Sequence, residues 1–393
     1  MKNPVQVYGD PRAAYWFLQL TDGQDRAGME AESREINARC PDIPFCLVPV
    51  PVEDWRRDLT PWVAPSFRGE SFGDGAANTL LRLKEHILPA LVEEYSLPAT
   101  VRFCLCGYSL AGLFALWSAT RDHPFAGFVA GSPSLWYPEW STYARDHLPG
   151  KQPVYLSLGD MEEKTRNPVM ARVGNRVREE AALLEAAGVP FRLEWNPGNH
   201  FAETEKRMAK GISWMLKRFR KQELRQAFRE KAANMTPGER ASASEKIVHQ
   251  LTELPSWREA KSVFLYWSLP SEPDTASLRE AAVREGKKIF LPRCEKGGQM
   301  EAVPWTPDTP MESGAYGIPV PQGSPWQGTP DLVVVPCVSA TADGVRLGHG
   351  AGYYDRYLAE HAAPAVCLCF RALLADALPQ DEQDIRIPIV LTD

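Results

Sequence analysis

Short apolar runs alternate with amphipathic stretches along the whole chain. Tyr15-Trp16-Phe17-Leu18-Gln19-Leu20, Phe45-Cys46-Leu47-Val48-Pro49-Val50, Val101-Arg102-Phe103-Cys104-Leu105-Cys106, Val154-Tyr155-Leu156-Ser157-Leu158 and Phe191-Arg192-Leu193-Glu194-Trp195 have the length and side-chain content of strands. Glycine, proline, asparagine or aspartate follows each of them. Residues 78–94 place Leu80, Leu81, Leu83 and Ile87 on one side of a helix, and residues 113–120 read as a second. Residues 54–75, rich in Trp, Pro and Gly, read as a long ordered loop.

The alternation continues. Residues 204–220 predict a helix with Met208, Ile212, Met215, Leu216 and Phe219 as its apolar stripe. A basic cluster, Lys217-Arg218-Phe219-Arg220-Lys221, marks the domain boundary, with 1–219 and 220–393 as the two domains. No Gly/Ser linker separates them, so one helix is expected to run into the next. Thr236-Pro237-Gly238-Glu239 offers a capping box with proline at the first helical position, opening a helix to about residue 251. Strands are predicted at 262–267, 288–292, 300–305, 331–338 and 365–370. Helices are predicted through residue 285 and over 353–361. Both halves thus read as α/β, and the second as a mostly parallel sheet whose ligands gather at the carboxyl ends of its strands.

Composition narrows the class. Of 393 residues 44% are apolar and 24% charged, as in soluble globular proteins, and the net charge of −6 shows no basic excess in either half. No nucleic-acid surface is therefore expected, and the lack of a long apolar run argues against a membrane span. The eight cysteines include no C-x-x-C pair, and buried free thiols in a reducing cytoplasm account for them.

Candidate chemistry lies in two places. The strand ending at Cys106 leads into Gly107-Tyr108-Ser109-Leu110-Ala111-Gly112 and then a helix, the context of a nucleophile elbow. Gly107 and Ala111 keep the positions two before and two after Ser109 small. The Leu110 N–H is one donor for an oxyanion, and backbone near Thr21 or Asp22 is the source of a second. A nucleophilic serine needs a base and an orienting acid. Glu162, with Glu163 and Asp160 as alternatives, follows one later strand, and His200 follows the next, in the chain order of α/β-hydrolases.

The other place is Arg346-Leu347-Gly348-His349-Gly350-Ala351-Gly352-Tyr353-Tyr354-Asp355-Arg356. Its alternate glycines lie between a strand and a helix, where backbone N–H groups and the helix dipole suit a phosphate. Arg346 and Arg356 add charge, and Asp355 can hold a magnesium ion. Lys221 and Arg225, four apart, lie on one helix face.

Two resemblances follow from these motifs. Residues 1–219 resemble esterases of the α/β-hydrolase superfamily, close to the enterochelin-esterase-like group. The likeness rests on the Ser109 turn, on Gly131-Ser132-Pro133-Ser134-Leu135-Trp136 and on Gly198-Asn199-His200-Phe201. No His-Gly-Gly-type oxyanion segment is present. From Lys221 onward the chain resembles 5-formyltetrahydrofolate cyclo-ligase. There the likeness rests on Lys221-x-x-Leu224-Arg225, Glu272-Pro273-Asp274-Thr275, the segment 286–293, Tyr316-Gly317-Ile318 and, above all, residues 346–356.

The second resemblance implies an ATP- and Mg²⁺-dependent enzyme. ATP phosphorylates the formyl oxygen of 5-formyltetrahydrofolate, and ring closure then expels phosphate to give 5,10-methenyltetrahydrofolate. It implies nucleotide contacts at Lys221 and Arg225 and a phosphate loop of Arg346, Leu347, Gly348, His349, Gly350, Ala351, Gly352 and Tyr353. Folate contacts fall at Trp267, Glu272, Tyr353 and Tyr354, and metal-associated acids at Asp355 and Asp384. The sequence departs from the family pattern at Cys337, Ala340 and Thr341, where Phe and Asp are missing, and at Val320 and Pro388. A serine hydrolase carrying a degenerate nucleotide-binding domain, or a hydrolase domain serving as a scaffold, are the alternative readings.

Overall fold

The computed structural model of the chain describes residues 6–23, 26–66, 69–295, 298–314 and 317–393. They form two units, Met1–Arg218 and Phe219–Asp393. Each unit buries its own apolar cluster.

The strands of the first unit are β1 (Tyr8–Gly9), β2 (Tyr15–Thr21), β3 (Cys46–Pro51), β4 (Arg102–Tyr108), β5 (Gly127–Gly131), β6 (Val154–Gly159) and β7 (Phe191–Asn196). They form one sheet in the order β1-β3-β2-β4-β5-β6-β7, parallel except for β1. This is the expected α/β-hydrolase fold. Its helices are α1 (Arg26–Arg39), α2 (Ala76–Arg82), α3 (Leu88–Glu94), α4 (Leu110–Ala119), α5 (Trp140–Asp146), α6 (Val173–Ala186) and α7 (Thr204–Ala233). Every residue of α4 is buried, as its apolar composition requires.

Several elements escape the sequence pattern. Strand β5 is short and bounded by glycines, and close packing explains both of them. A Cβ on Gly127 would lie 2.7 Å from the Met215 sulfur, and one on Gly131 would lie 2.6 Å from that of Met208. These methionines lie on the predicted stripe of α7, all five members of which are buried. Helices α1 and α6 carry enough polar residues to hide their buried face. The predicted helix over 78–94 forms with a π-turn, Leu83–Ile87, between α2 and α3. The Leu88 N–H bonds Leu83 O, and Pro89, which has no N–H to give, follows at once.

The second unit continues α7 and adds α8 (Pro237–Glu253), α9 (Pro255–Glu259), α10 (Ala276–Arg284) and α11 (Tyr353–Glu360). The capping box at Thr236 and Glu239 forms with both reciprocal hydrogen bonds. Strands β8 (Ser262–Phe264), β9 (Lys288–Cys294) and β10 (Met300–Trp305) come next. They are followed by β11 (Met311–Ser313), β12 (Pro319–Pro321), β13 (Leu332–Val335), β14 (Ser339–Ala340), β15 (Arg346–Leu347), β16 (Ala365–Leu368) and β17 (Ile389–Leu391). The main sheet runs β10-β9-β8-β13-β16-β17 and is parallel apart from β10.

Three predicted strands are shorter than their apolar runs, and the 365–370 run ends at Leu368. The 262–267 run leaves the sheet after Phe264, and the Tyr266 carbonyl is taken by the Thr275 hydroxyl at 2.7 Å. The 331–338 run stops at Val335 because Pro336 has no N–H for the ladder. The chain therefore reaches the glycine loop through the hairpin β14–β15 rather than straight from β13. Tyr316, part of the Tyr316-Gly317-Ile318 motif, lies outside the described residues. Seven cysteines are buried and free, whereas Cys294 is exposed, which corrects the expectation for that residue. No helix among the described residues is long and apolar enough to cross a membrane.

Candidate active sites

In the first unit the turns after β4, β6 and β7 carry Ser109, Glu162 and His200. Ser109 sits at φ +60°, ψ −119°, a conformation that only a tight strand-to-helix turn imposes on a side chain of this kind. Glycine is obligatory two residues earlier, since a Cβ on Gly107 would lie 2.3 Å from the Ala111 carbonyl. Ala111 itself fits, fully buried. His200 Nε2 lies 3.0 Å from Ser109 Oγ, and His200 Nδ1 lies 2.8 Å from Glu162 Oε2. Of the three acids weighed, Glu162 is the one that meets the histidine. Glu163 pairs with Arg178 instead, and Asp160 accepts the Gly198 N–H. The Leu110 N–H opens α4, where first-turn donors have no intrahelical partner. Thr21 ends β2, the parallel neighbour of β4, at the same carboxyl end of the strands.

Burial alone would push the Glu162 carboxyl up. Hydrogen bonds from His200, Ser132 Oγ and the Gly159 N–H, with the His200 charge, outweigh it and hold the group below the usual carboxylate range. Burial raises the Tyr108 hydroxyl, which donates to the His200 carbonyl at 2.7 Å. Sequence reasoning missed four residues here. Ser132 bonds the acid, and Ser134 Oγ lies 3.3 Å from Ser109 Oγ. Tyr108 holds the histidine loop, and Arg207, 1% exposed, places Nη1 3.2 Å from Glu162 Oε1. The two serines lie in the Gly131–Trp136 motif, which gave no role. Arg207 looks like any surface arginine of an amphipathic helix.

In the second unit the glycine loop is braced by residues distant in sequence. Arg225 Nε donates to Gly348 O at 2.8 Å, and its guanidinium lies 3.3 Å from where a Gly350 Cβ would be. Gly350 and Gly352 hold φ of +111° and +70°, so the loop requires glycine at both. Ala351 stands between them, its carbonyl taken by Arg356. Leu347 is buried at the end of the hairpin.

The two arginines of the motif do not both face an incoming anion. The Arg346 side chain is 5% exposed, bonded to Pro336 O and to Asp355 Oδ1 at 2.9 Å. Arg356 bonds Gly298 O and lies over the Tyr353 ring, its Cζ 5.7 Å from the centroid. Tyr354 turns inward onto Phe264, with ring centroids 6.3 Å apart. Trp267 carries the Arg279 guanidinium on its face at 4.2 Å.

Glu272 is buried. Its Oε2 accepts the Leu269 N–H, and its Oε1 lies 2.8 Å from His349 Nε2, so the turn acid and the glycine loop are joined. Lys221 is neither solvated nor free. Its Nζ lies 2.7 Å from Asp381 and 2.5 Å from Asp384. Asp381 had no sequence signal.

No group of three or more His, Cys, Asp or Glu side chains able to hold a metal occurs among the described residues. Magnesium, however, commonly needs only one or two carboxylates beside substrate phosphates. Asp355 also accepts the Ile385 N–H through Oδ1, which brings it next to the backbone of Asp384. Among the described residues Oδ2 of Asp355 and Oδ1 of Asp384 accept no hydrogen bond. The donor set fits such an ion.

Comparison with known proteins gives a family for the second unit. The family profile of 5-formyltetrahydrofolate cyclo-ligase matches residues 217–393. A probable 5-formyltetrahydrofolate cyclo-ligase of Schizosaccharomyces pombe is 31% identical over 171 residues, covering 38% of this chain and 84% of that protein. Its Caenorhabditis elegans counterpart is 28% identical over 188 residues, 44% of this chain and 91% of that protein. Among solved structures, an IroE-like serine hydrolase from Shewanella oneidensis aligns with a TM-score of 0.47 at 18% identity, over 64% of this chain and 87% of its own. Through residues 217–393, the chain belongs to the 5-formyltetrahydrofolate cyclo-ligase family.

Proposed function

We propose that the second unit converts 5-formyltetrahydrofolate to 5,10-methenyltetrahydrofolate with ATP, and that magnesium takes part. The observation that carries this reading is the Gly348–Gly352 backbone, braced by Arg225 and tied through His349 to Glu272. Phosphoryl transfer asks a protein mainly for positioning and charge neutralisation. The loop N–H groups and the start of α11 would receive the nucleotide phosphates, with Arg225 beside them. Lys221 would exchange one of its carboxylates for a phosphate oxygen.

Glu272 keeps acceptor capacity beyond its two present partners, and pterin amino and ring N–H groups are the donors that match it. Trp267 and Tyr353 would flank the ring system. The γ-phosphoryl group passes to the formyl oxygen. The second folate nitrogen attacks the formyl carbon, the C–O bond breaks, and phosphate and ADP leave. Asp355 and Asp384 would hold magnesium, which neutralises charge on the transferring phosphoryl group. The test is direct: the full chain with 5-formyltetrahydrofolate, ATP and Mg²⁺ should form the methenyl product with one ADP each. No product at enzyme concentrations equal to substrate would overturn the reading.

A second activity is favoured by the hydrogen-bonded chain Ser109–His200–Glu162. His200 would take the Ser109 proton as Oγ attacks an ester carbonyl, with Glu162 stabilising the imidazolium. A fluorophosphonate probe should label the wild-type chain at Ser109, and the Ser109→Ala variant not at all. Equal labelling of the two would remove the serine-hydrolase reading.

A further inference from the structure

Arg207 is the largest charged side chain sealed inside the first unit, and a bare salt bridge does not describe its contacts. Nη1 reaches Glu162 Oε1 at 3.2 Å and Tyr108 Oη at 3.0 Å, with Ser132 Oγ at 3.4 Å. Nη2 donates to Pro197 O at 3.0 Å and to Asn199 O at 2.9 Å. Those two carbonyls belong to the turn that ends in His200, and Tyr108 is the residue before Ser109. One planar guanidinium therefore touches the last residue of β4, the turn after β6 and the turn after β7. Glycine makes room for it: a Cβ on Gly159 would lie 2.9 Å from Nη2. A buried charge is costly unless paired and hydrogen-bonded, and a rigid two-armed donor suits this task better than the single ammonium of lysine.

We infer that Arg207 is a positioning residue of the serine-hydrolase site. One arm fixes the ionised acid, and the other fixes the backbone of the histidine turn, so that both ends of His200 stay in register. The inference rests on the hydrolase reading for its catalytic consequence but not for its structural one, and the experiment separates the two. The labelling rate of the full chain with a fluorophosphonate is measured for wild type, Arg207→Met and Arg207→Lys. In parallel, proton NMR follows the far-downfield resonance of the His200 Nδ1–H to Glu162 hydrogen bond, assigned by its loss in His200→Gln.

Arg207→Met should label about 10²-fold more slowly, the scale of an ångström-sized misplacement, and should lose the resonance. Arg207→Lys, which restores the charge but not both arms, should keep the resonance and label about tenfold more slowly. Wild-type rates and an unchanged resonance in both variants would overturn the inference. So would losses that merely track the folded fraction of each variant, measured by circular dichroism. If the wild type does not label but its resonance is present and vanishes in Arg207→Met, the hydrolase reading falls and the positioning role stands. If Arg207→Met does not fold, Arg207→Lys decides on both readouts.

Discussion

The two sites differ in how much of their chemistry is assembled without a ligand. At Ser109 the serine, histidine and glutamate side chains already touch, and the glutamate has donors on both oxygens. Around the glycine loop, by contrast, charges are matched internally, Lys221 with Asp381 and Asp384 and Arg346 with Asp355, while His349 is hydrogen-bonded to Glu272. The difference follows from what each site must meet. A hydrolase keeps its reacting groups on the protein, so they can be complete in the free chain. A site for a polyphosphate must gather cations, and in the free chain those cations repel one another unless acids of the same chain neutralise them.

The largest expected effect breaks this contrast if it fails. Ser109→Ala should lower hydrolysis of short-chain aryl esters by about 10⁴-fold or more, while leaving methenyl formation unchanged. Parallel loss of both activities would show that the first site is not self-sufficient.

A second prediction sharpens the contrast inside the first unit, where two buried glutamates behave oppositely. Glu162 is held low by several donors. Glu180 has one, the Trp140 indole at 3.0 Å, and burial pushes its carboxyl up to about 7 from 4.5. A carboxyl raised by folding favours the folded state while protonated. Stability is therefore fully present below about pH 4.5 and lost as pH rises through about 7. The loss approaches about 3 kcal/mol, at about 1.4 kcal/mol per pH unit between the two values. Glu180→Gln should remove this slope, so that its melting temperature exceeds the wild type's most at pH 8 and least at pH 5. Equal slopes would mean that Glu180 is not a buried acid poor in partners.

Lys221→Ala comes next. It leaves Asp381 and Asp384 facing each other without their cation. Breaking a fully buried pair costs about 3–5 kcal/mol, and the cost falls at or just below that range here because the carboxylates remain 23% and 22% exposed. About 2–3 kcal/mol should appear in urea unfolding of the second unit, together with weaker ATP binding. An unchanged midpoint would show that the internal neutralisation contributes nothing to the fold.

Much of this was legible in the sequence, for identifiable reasons. Short apolar runs ending in Gly or Asn announced β4, β6 and β7, and chain order selected Ser109, Glu162 and His200 as the residues that meet. The alternate glycines announced a loop of open backbone, though not that Gly350 and Gly352 would take positive φ. Other features carried no local signal. Strand β5 hides because its end glycines answer to Met208 and Met215, far along the chain. The ends of β8 and β13 are set by a side-chain hydrogen bond from Thr275 and by the missing N–H of Pro336. Arg207, Asp381 and the partner of His349 are long-range choices. A lysine on a helix face reads as solvated until the fold brings two aspartates to it.

His349 offers the smallest effect and the finest test of the comparison. By position it belongs to the phosphate loop, yet its Nε2 is bonded to Glu272, the acid assigned to folate. Its side chain is 36% exposed, so the net value of the bond should fall below the usual range for hydrogen bonds to charged groups, at about 1 kcal/mol or roughly fivefold. If the bond's purpose is to orient Glu272, His349→Leu should raise KM for 5-formyltetrahydrofolate about three- to fivefold. KM for ATP and kcat should stay within about twofold. If His349 acts instead on the phosphates, the ATP constant moves and the folate constant does not. The second outcome would make the loop a site whose groups turn to their ligand only when it arrives. The first would make the loop and the folate acid one preassembled unit, and would narrow the difference between the two halves of the chain to the cations alone.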